Sequence, residues 1–316
     1  MNNKTLVIIG TTSSGKTDLA VKAALRYDGE VVSADSRQVY VGMDIGTGKD
    51  LCEYDVTVKG KKVHVPYHLI DVAKPMEVFS LADFQRLAIK VIDDILKRDK
   101  LPIIAGGTGM YVQCLVDAYD LSAVKPDQAF RKELEGMTIR ELNALLESFN
   151  KKFARQLNNS DRNNKRRLAR YVELAKTEKL DLKVDSKNKT LQGRYNHKII
   201  GLKCPGEVLH ARIYKRIKDR LEKEHMIEEV EDLYRNGVTW ERFESLGLEY
   251  RFISRYLRDM LDYEEMIVQL YTASKKFAKQ QMKWYKRWEK QGAKIHWFEG
   301  KSDEIWDLCD EFLKIR

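Results

Sequence analysis

Gly10-Thr11-Thr12-Ser13-Ser14-Gly15-Lys16-Thr17 lies between two runs of opposite period. Lys4 to Ile9 is apolar and β-branched, which predicts a buried strand. Asp18 to Arg26 places Leu19, Ala20, Ala23 and Ala24 at helical spacing. Strand, glycine loop and helix follow in the order of a P-loop. Gly10 and Gly15 let the backbone turn its N–H groups inward. The new helix adds unpaired N–H groups and the positive end of its dipole. Lys16 supplies a mobile charge, and the Thr17 hydroxyl is a candidate Mg²⁺ ligand. The sum is a socket for a di- or triphosphate. A socket names no reaction: kinases, ATPases, GTPases and diphosphate-leaving transferases all fit it.

The 316 residues, 43% of them hydrophobic, are enough for one large domain or two smaller ones. No run reaches the apolar length of a membrane span, and the N-terminus enters the first strand at once. A cytoplasmic protein with no membrane partner is expected, and a monomer. Cys52, Cys114, Cys204 and Cys309 are far apart, without metal spacing, and read as reduced thiols. The net charge of +9 points to an anionic partner if the basic residues cluster.

A second strand, Glu30 to Ala34, ends in Asp35-Ser36-Arg37-Gln38. Chemistry in open α/β sheets gathers at the carboxyl ends of strands, so Asp35 belongs beside the phosphate loop. Position alone leaves it open between a helix N-cap and a catalytic carboxylate. Gly42 to Asp50, including Gly46-Thr47-Gly48-Lys49-Asp50, has no period and predicts a loop; a hairpin follows around Lys59-Gly60. Ser80 caps an amphipathic helix whose stripe runs from Leu81 to Leu96. Leu101 to Ala105 predicts another buried strand, ending in Gly106-Gly107-Thr108-Gly109-Met110-Tyr111. Two glycines there permit close approach of a ligand, and Thr108 offers a hydroxyl.

The P-loop, Asp35 to Tyr40 with Gly42 to Thr47, Tyr67 to Asp71, and Gly106 to Tyr111 together resemble the tRNA dimethylallyltransferases, also called tRNA isopentenyltransferases. The resemblance runs into the C-terminal third. It implies transfer of a dimethylallyl group from dimethylallyl diphosphate to N6 of an adenine beside the tRNA anticodon. The P-loop residues Gly10, Thr12, Ser13, Ser14, Gly15, Lys16 and Thr17 would then hold a leaving diphosphate with Mg²⁺. Asp35 would be the base that takes the amine proton, and Thr108 would sit at the reacting centre. Asp35, Ser36, Arg37, Gln38 and Thr108 would all face the tRNA. Two departures stand out: Thr11 replaces a usual proline, and two extra residues separate Gly247 from Tyr250.

From Leu121 to about His197 the chain is strongly charged and predicts helices at 127–135, 138–149 and 161–176, with a capping box at Thr138-Ile139-Arg140-Glu141 and a hairpin over 179–194. The expected division is therefore a P-loop core of 1–121 and 198–316 around an inserted, mostly helical domain of 122–197. Basic residues crowd 151–170 with Asp161 as the acid among them, which favours phosphate contact. By resemblance, Arg131, Arg166, Arg167 and Arg170 would contact the tRNA anticodon stem-loop.

The core resumes with a strand at 198–202 and a helix from Pro205 bearing Arg212 and Arg216 one turn apart. The resemblance places a diphosphate-binding arginine in this pair, with Arg216 favoured over Arg212. By the same resemblance, Gly247, Tyr250 and Arg251 would belong to a tRNA-gripping loop. The longest helix, 264–291, has Phe277, Trp284 and Trp288 on a face read as core. Its basic side, with Lys279, Gln280 and Lys283, resembles the family's anticodon-loop contact. The rival expectations are a small-molecule P-loop kinase, a prenyltransferase of free adenine nucleotide, and a non-catalytic RNA-binding ATPase.

Overall fold

The computed structural model describes residues 3–119, 127–176, 193–300 and 302–314. Strand β1 (Lys4–Gly10) leads into α1 (Lys16–Arg26) and β2 (Gly29–Ser33). A hairpin, β3 (Asp55–Val58) and β4 (Lys61–His64), precedes the short β5 (Tyr67–His68). Next come α2 (Leu81–Lys97), β6 (Leu101–Gly106) and α3 (Gly109–Val116). Four helices follow: α4 (Gln128–Gly136), α5 (Ile139–Gln156), α6 (Asn159–Arg162) and α7 (Lys165–Lys176). After β7 (Asn196–Lys203) the chain runs through α8 (Gly206–Glu222), α9 (Met226–Arg235), α10 (Trp240–Leu246), α11 (Leu248–Tyr256) and α12 (Tyr263–Lys290). It closes with β8 (Ile295–Glu299) and α13 (Glu304–Leu313).

Six strands form one sheet in the order β5-β2-β6-β1-β7-β8, and every pair in it is parallel. Parallel pairing puts all carboxyl ends on one edge, and helical crossovers cover the faces. Leu6, Val7, Ile8 and Ile9 of β1 have no exposed surface, as a central parallel strand requires. Residues of α1, β6 and α13 pack on one side of this sheet, with Leu19, Ile103 and Ile305 among them. A second apolar cluster unites α8 to α12 around Ile213, Phe243, Ile253 and Leu270.

The chain divides into two compact units, one made of the residues up to Asp117 together with those from Gly193 onward, the other of the stretch between. The expected division at 197/198 falls inside β7, because Asn196 and His197 already pair with Lys4 and Thr5. The second unit has its own core of Leu134, Leu142, Leu146, Phe153, Leu168 and Val172. Its long helix α5 carries the expected capping box at Thr138 and Glu141 but kinks at Asn150. The Asn150 side chain accepts the Phe153 N–H at 3.0 Å, capping the second half afresh. Asn158 likewise caps α6, so the helix expected over 161–176 is two pieces. The alternation at 179–192 lies outside the described residues. No helix among the described residues is long and apolar enough to cross a membrane.

Candidate active site

The carboxyl ends of β1, β2 and β6 are neighbours in the sheet: Ile9 pairs with Gly106, and Ser33 with Ala105. Three loops therefore meet at one edge. They wall a cleft of about 700 Å³ within the first unit. Ala34 donates its N–H to Ala105 at 2.8 Å, and Thr108 donates its own to Ala34 at 3.3 Å. The glycines of the second turn line the cleft and also permit this packing. A Cβ on Gly106 would lie 2.2 Å from the Ala34 carbonyl oxygen, on Gly107 2.5 Å from Gln281 Nε2, and on Gly109 2.3 Å from Trp284.

Thr12, Ser13, Gly15, Lys16 and Thr17 line the cleft, whereas Gly10 and Ser14 lie behind it. Ser13 and Gly15 hold positive φ angles of 59° and 87°, which turns the loop tightly ahead of α1. A side chain at Gly10 would press on Ser14 Oγ and the Leu202 carbonyl. Lys16 Nζ donates to the Thr11 carbonyl oxygen at 2.6 Å. It lies deep in the protein while keeping part of its surface open to the cleft. Burial pulls its pKa down to about 8; the Asp35 charge acts upward and Arg216 downward.

Asp35 lines the same cleft. Its Oδ1 accepts the Arg37 N–H at 2.9 Å, so it fixes a turn while its carboxylate charge reaches Lys16. No helix starts after Asp35, so of the two readings left open by the sequence the helix cap falls away: the side chain shapes a turn and its carboxylate lines the cleft. Ser36 donates its N–H to Thr108 Oγ1 at 3.0 Å, and Thr108 Oγ1 points back to Ser36 Oγ at 3.3 Å. Arg37 and Gln38 also line the cleft. The Gln38 amide is engaged at both ends, accepting from Ser33 Oγ at 2.8 Å and donating to the Gly48 carbonyl at 2.7 Å.

Helix α8 brings Arg212 to the exposed rim and Arg216 into the interior of the cleft. Arg216 Nη2 donates to Thr12 Oγ1 at 2.5 Å. Burial lowers its pKa to about 10, assisted by neighbouring Arg220. Arg220 is itself occupied by Asp50 at 3.0 Å. The 44–50 loop, whose Gly46, Thr47 and Asp50 line the cleft, is anchored from behind. Glu229 accepts the N–H groups of Asp44, Ile45 and Gly46 at 2.8, 2.6 and 3.1 Å. Lys49, fully buried, bridges the Tyr40 carbonyl, Asp44 and Asp71.

Helix α12 departs from its sequence reading. Trp288 is core as expected, but Phe277 and Trp284 line the cleft with Gln280 and Gln281. Their i, i+3, i+4, i+7 spacing marks a single face, and an apolar stripe is silent on whether that face meets a core or a pocket. Lys279 and Lys283 are exposed on α12 outside the cleft. The 245–251 stretch is no loop: α10 ends at Leu246, Gly247 turns with φ 76°, and α11 starts at Leu248. Tyr250 is buried, donating to Glu229 at 2.8 Å, and Arg251 donates to the Glu244 carbonyl at 2.8 Å. Leu246, Leu248 and Glu249, which sequence reasoning passed over, line the cleft in their place.

Four expected tRNA contacts belong to the second unit. Arg131 and Arg170 both bind Glu173, at 2.5 and 3.0 Å; the first pair ties α4 to α7, and the second lies within α7. Arg167 pairs with Asp161 at 2.6 Å. Arg166 is exposed and pairs with no acid among the described residues.

The loop chemistry fits a bound diphosphate. The hydroxyl of Ser13, which lines the cleft, is buried without a hydrogen-bond partner among the described residues. No group of three His, Cys, Asp or Glu side chains that could hold a metal occurs among the described residues. A magnesium ion here would take the Thr17 hydroxyl and complete its shell with phosphate oxygens and water, the donor set this hard cation prefers.

Comparison with known proteins agrees with this geometry. Residues 38–288 match the family model "IPP transferase". The tRNA dimethylallyltransferase 1 of Hahella chejuensis is 42% identical over 299 residues, covering 94% of this chain and 92% of that one. The tRNA dimethylallyltransferase 2 of Treponema denticola is 41% identical over 296 residues, covering 93% and 95%. The crystal structure of the tRNA isopentenylpyrophosphate transferase from Bacillus halodurans superimposes with a TM-score of 0.67 at 33% identity, covering 99% of this chain and 96% of that one. With its P-loop NTPase-like parallel sheet and this shared sequence, the chain belongs to the IPP transferase family.

Proposed function

We propose that this protein is a tRNA dimethylallyltransferase. It transfers the dimethylallyl group of dimethylallyl diphosphate to N6 of the adenine 3′-adjacent to the anticodon and releases diphosphate. One observation carries the reading: the Asp35 carboxylate shares a cleft with Lys16 and Arg216, close enough for its charge to act on both.

The chemistry follows from that juxtaposition. Breaking the C–O bond leaves negative charge on the diphosphate. Lys16, Arg216 and the loop N–H groups stand where that charge develops. Arg212 meets the substrate at the rim. Mg²⁺ held by Thr17 would add charge neutralisation at the phosphates. The exocyclic amine of adenine is a poor nucleophile because its lone pair is delocalised. As the N–C bond forms, Asp35 takes the N6 proton. Thr108 and Ser36 orient the base beside it, and the apolar wall of Leu246, Leu248 and Phe277 suits the prenyl chain.

The exposed Lys279 and Lys283 of α12 offer phosphate contacts to tRNA, and the helical unit, taken by itself, offers basic groups of the same kind in Arg166 and Arg167. The cytoplasmic pool of tRNA and the free cysteines support a cytoplasmic enzyme. Incubation with radiolabelled dimethylallyl diphosphate and bulk tRNA tests the reading. Label in RNA supports it. Phosphate passing from ATP to a small acceptor, with RNA unlabelled, replaces it with a kinase.

A further inference from the structure

Helix α12 reaches under both glycine loops with one buried amide. Gln281 Oε1 accepts the Thr12 N–H at 2.8 Å, and its Nε2 donates to the Gly107 carbonyl at 2.9 Å. The partners fix the orientation, because a backbone N–H only donates and a carbonyl only accepts. Gly107 is needed for the approach: a Cβ there would stand 2.5 Å from Nε2. One helical turn on, the Tyr285 hydroxyl lies 3.3 Å from the Gly10 carbonyl and 3.4 Å from that of Gly107. Thr12 also receives Arg216 on its hydroxyl, so the clamped residue touches the arginine of the phosphate pocket.

We propose that Gln281 is a positioning residue that sets the diphosphate loop against the Thr108 turn, and so fixes the separation between leaving group and accepting amine. The proposal rests on the transferase reading above. A primary amide accepts on one side and donates on the other at any pH. A glutamate carboxylate would satisfy Thr12 but face the Gly107 carbonyl oxygen with like charge. Protonated, it would reproduce the amide, accepting through C=O and donating through O–H. Displacement of a reacting group by an ångström costs rate steeply, so the loss falls on turnover more than on binding.

The test compares wild type, Gln281→Glu and Gln281→Met in labelling of tRNA across pH. For Gln281→Glu, the ratio of its kcat to that of wild type rises by about tenfold between about pH 8 and pH 5.5, as the buried carboxyl gains its proton. Taking the ratio removes whatever pH dependence the two proteins share. Gln281→Met, apolar and of similar length, loses at least about tenfold in kcat at every pH, while inorganic diphosphate affinity by calorimetry changes by less than about threefold. A flat ratio, or full kcat in folded Gln281→Met, overturns the proposal. If Gln281→Glu does not fold, the methionine variant decides. Failure of wild type to label tRNA removes the transferase reading and this role with it. Labelling by wild type with a flat ratio removes the role of Gln281 alone.

Discussion

Lys16 Nζ is hydrogen-bonded at 2.6 Å to the carbonyl oxygen of Thr11, five residues earlier in the same loop. The ammonium group is thus positioned before any phosphate competes for it, and it is poised to lose its proton near pH 8. An arriving diphosphate favours the charged form. Above that pH, binding must draw a proton onto Lys16, and affinity must fall as pH rises through about 8. Calorimetry with inorganic diphosphate in buffers of different ionisation enthalpy measures this uptake. At about pH 9 wild type should take up close to one proton more than Lys16→Met. Equal uptake in the two proteins would assign the titration elsewhere. The unliganded fold responds in the opposite sense. Between about 8 and the ordinary value of 10.5 the unfolded chain holds a proton that the folded chain has lost, so Lys16 makes folding more favourable as pH rises there.

Asp35→Asn separates chemistry from structure, because the amide oxygen still accepts the Arg37 N–H that shapes the turn. Loss of a general base costs about 10²- to 10⁴-fold in kcat. Dimethylallyl diphosphate should bind at least as well, since a negative charge has left the cleft. Single-turnover labelling of tRNA measures the first, and equilibrium binding the second. Near wild-type turnover would remove Asp35 from the mechanism.

Arg216 and Arg212 share a helix face but not a depth. Arg216 touches Thr12, whereas Arg212 stands exposed at the rim. Arg216→Ala should weaken diphosphate binding by about 1.5–3 kcal/mol, the range for a charge-assisted hydrogen bond. Arg212→Ala should cost well under half of that. Competition by inorganic diphosphate in the labelling assay ranks the two, and a larger effect at Arg212 would invert their roles.

The arginines of the helical unit divide by their partners. Arg131→Ala leaves buried Glu173 short of a donor and should destabilise the protein by about 1–3 kcal/mol in thermal unfolding. Arg166→Ala should leave the unfolding temperature in place, weaken tRNA binding, and make its dependence on salt shallower by about one counterion. A salt slope identical to wild type would return Arg166 to the ordinary solvated surface.

Glu229 holds the cleft wall from outside it, accepting three successive backbone N–H groups and the Tyr250 hydroxyl. Glu229→Ala would strand these donors. A stability loss of roughly 2–4 kcal/mol and a raised KM for the prenyl donor are expected, read by urea unfolding and steady-state kinetics. Unchanged stability would mean that the loop is held by Lys49 and Arg220 alone.

Local signals in the chain were enough for the sheet core and for the strand-loop-helix unit at its edge. The loop from Gly10 to Thr17, the run from Asp35 and the turn at Thr108 each announce a strand end, and strand ends of a parallel sheet must share an edge. The helix cap at Ser80 and the capping box at Thr138 were legible for the same reason, since donor and acceptor lie three residues apart. Tertiary structure alone decided the far wall. Helical period places Phe277, Gln281 and Trp284 on one face but cannot say whether that face meets a core or a cleft. Likewise, Gly107 and Gly109 are open to any neighbour until α12 arrives against them. Residues hundreds of positions apart meet there through packing, and no periodicity within a segment encodes which surface a helix will be pressed upon.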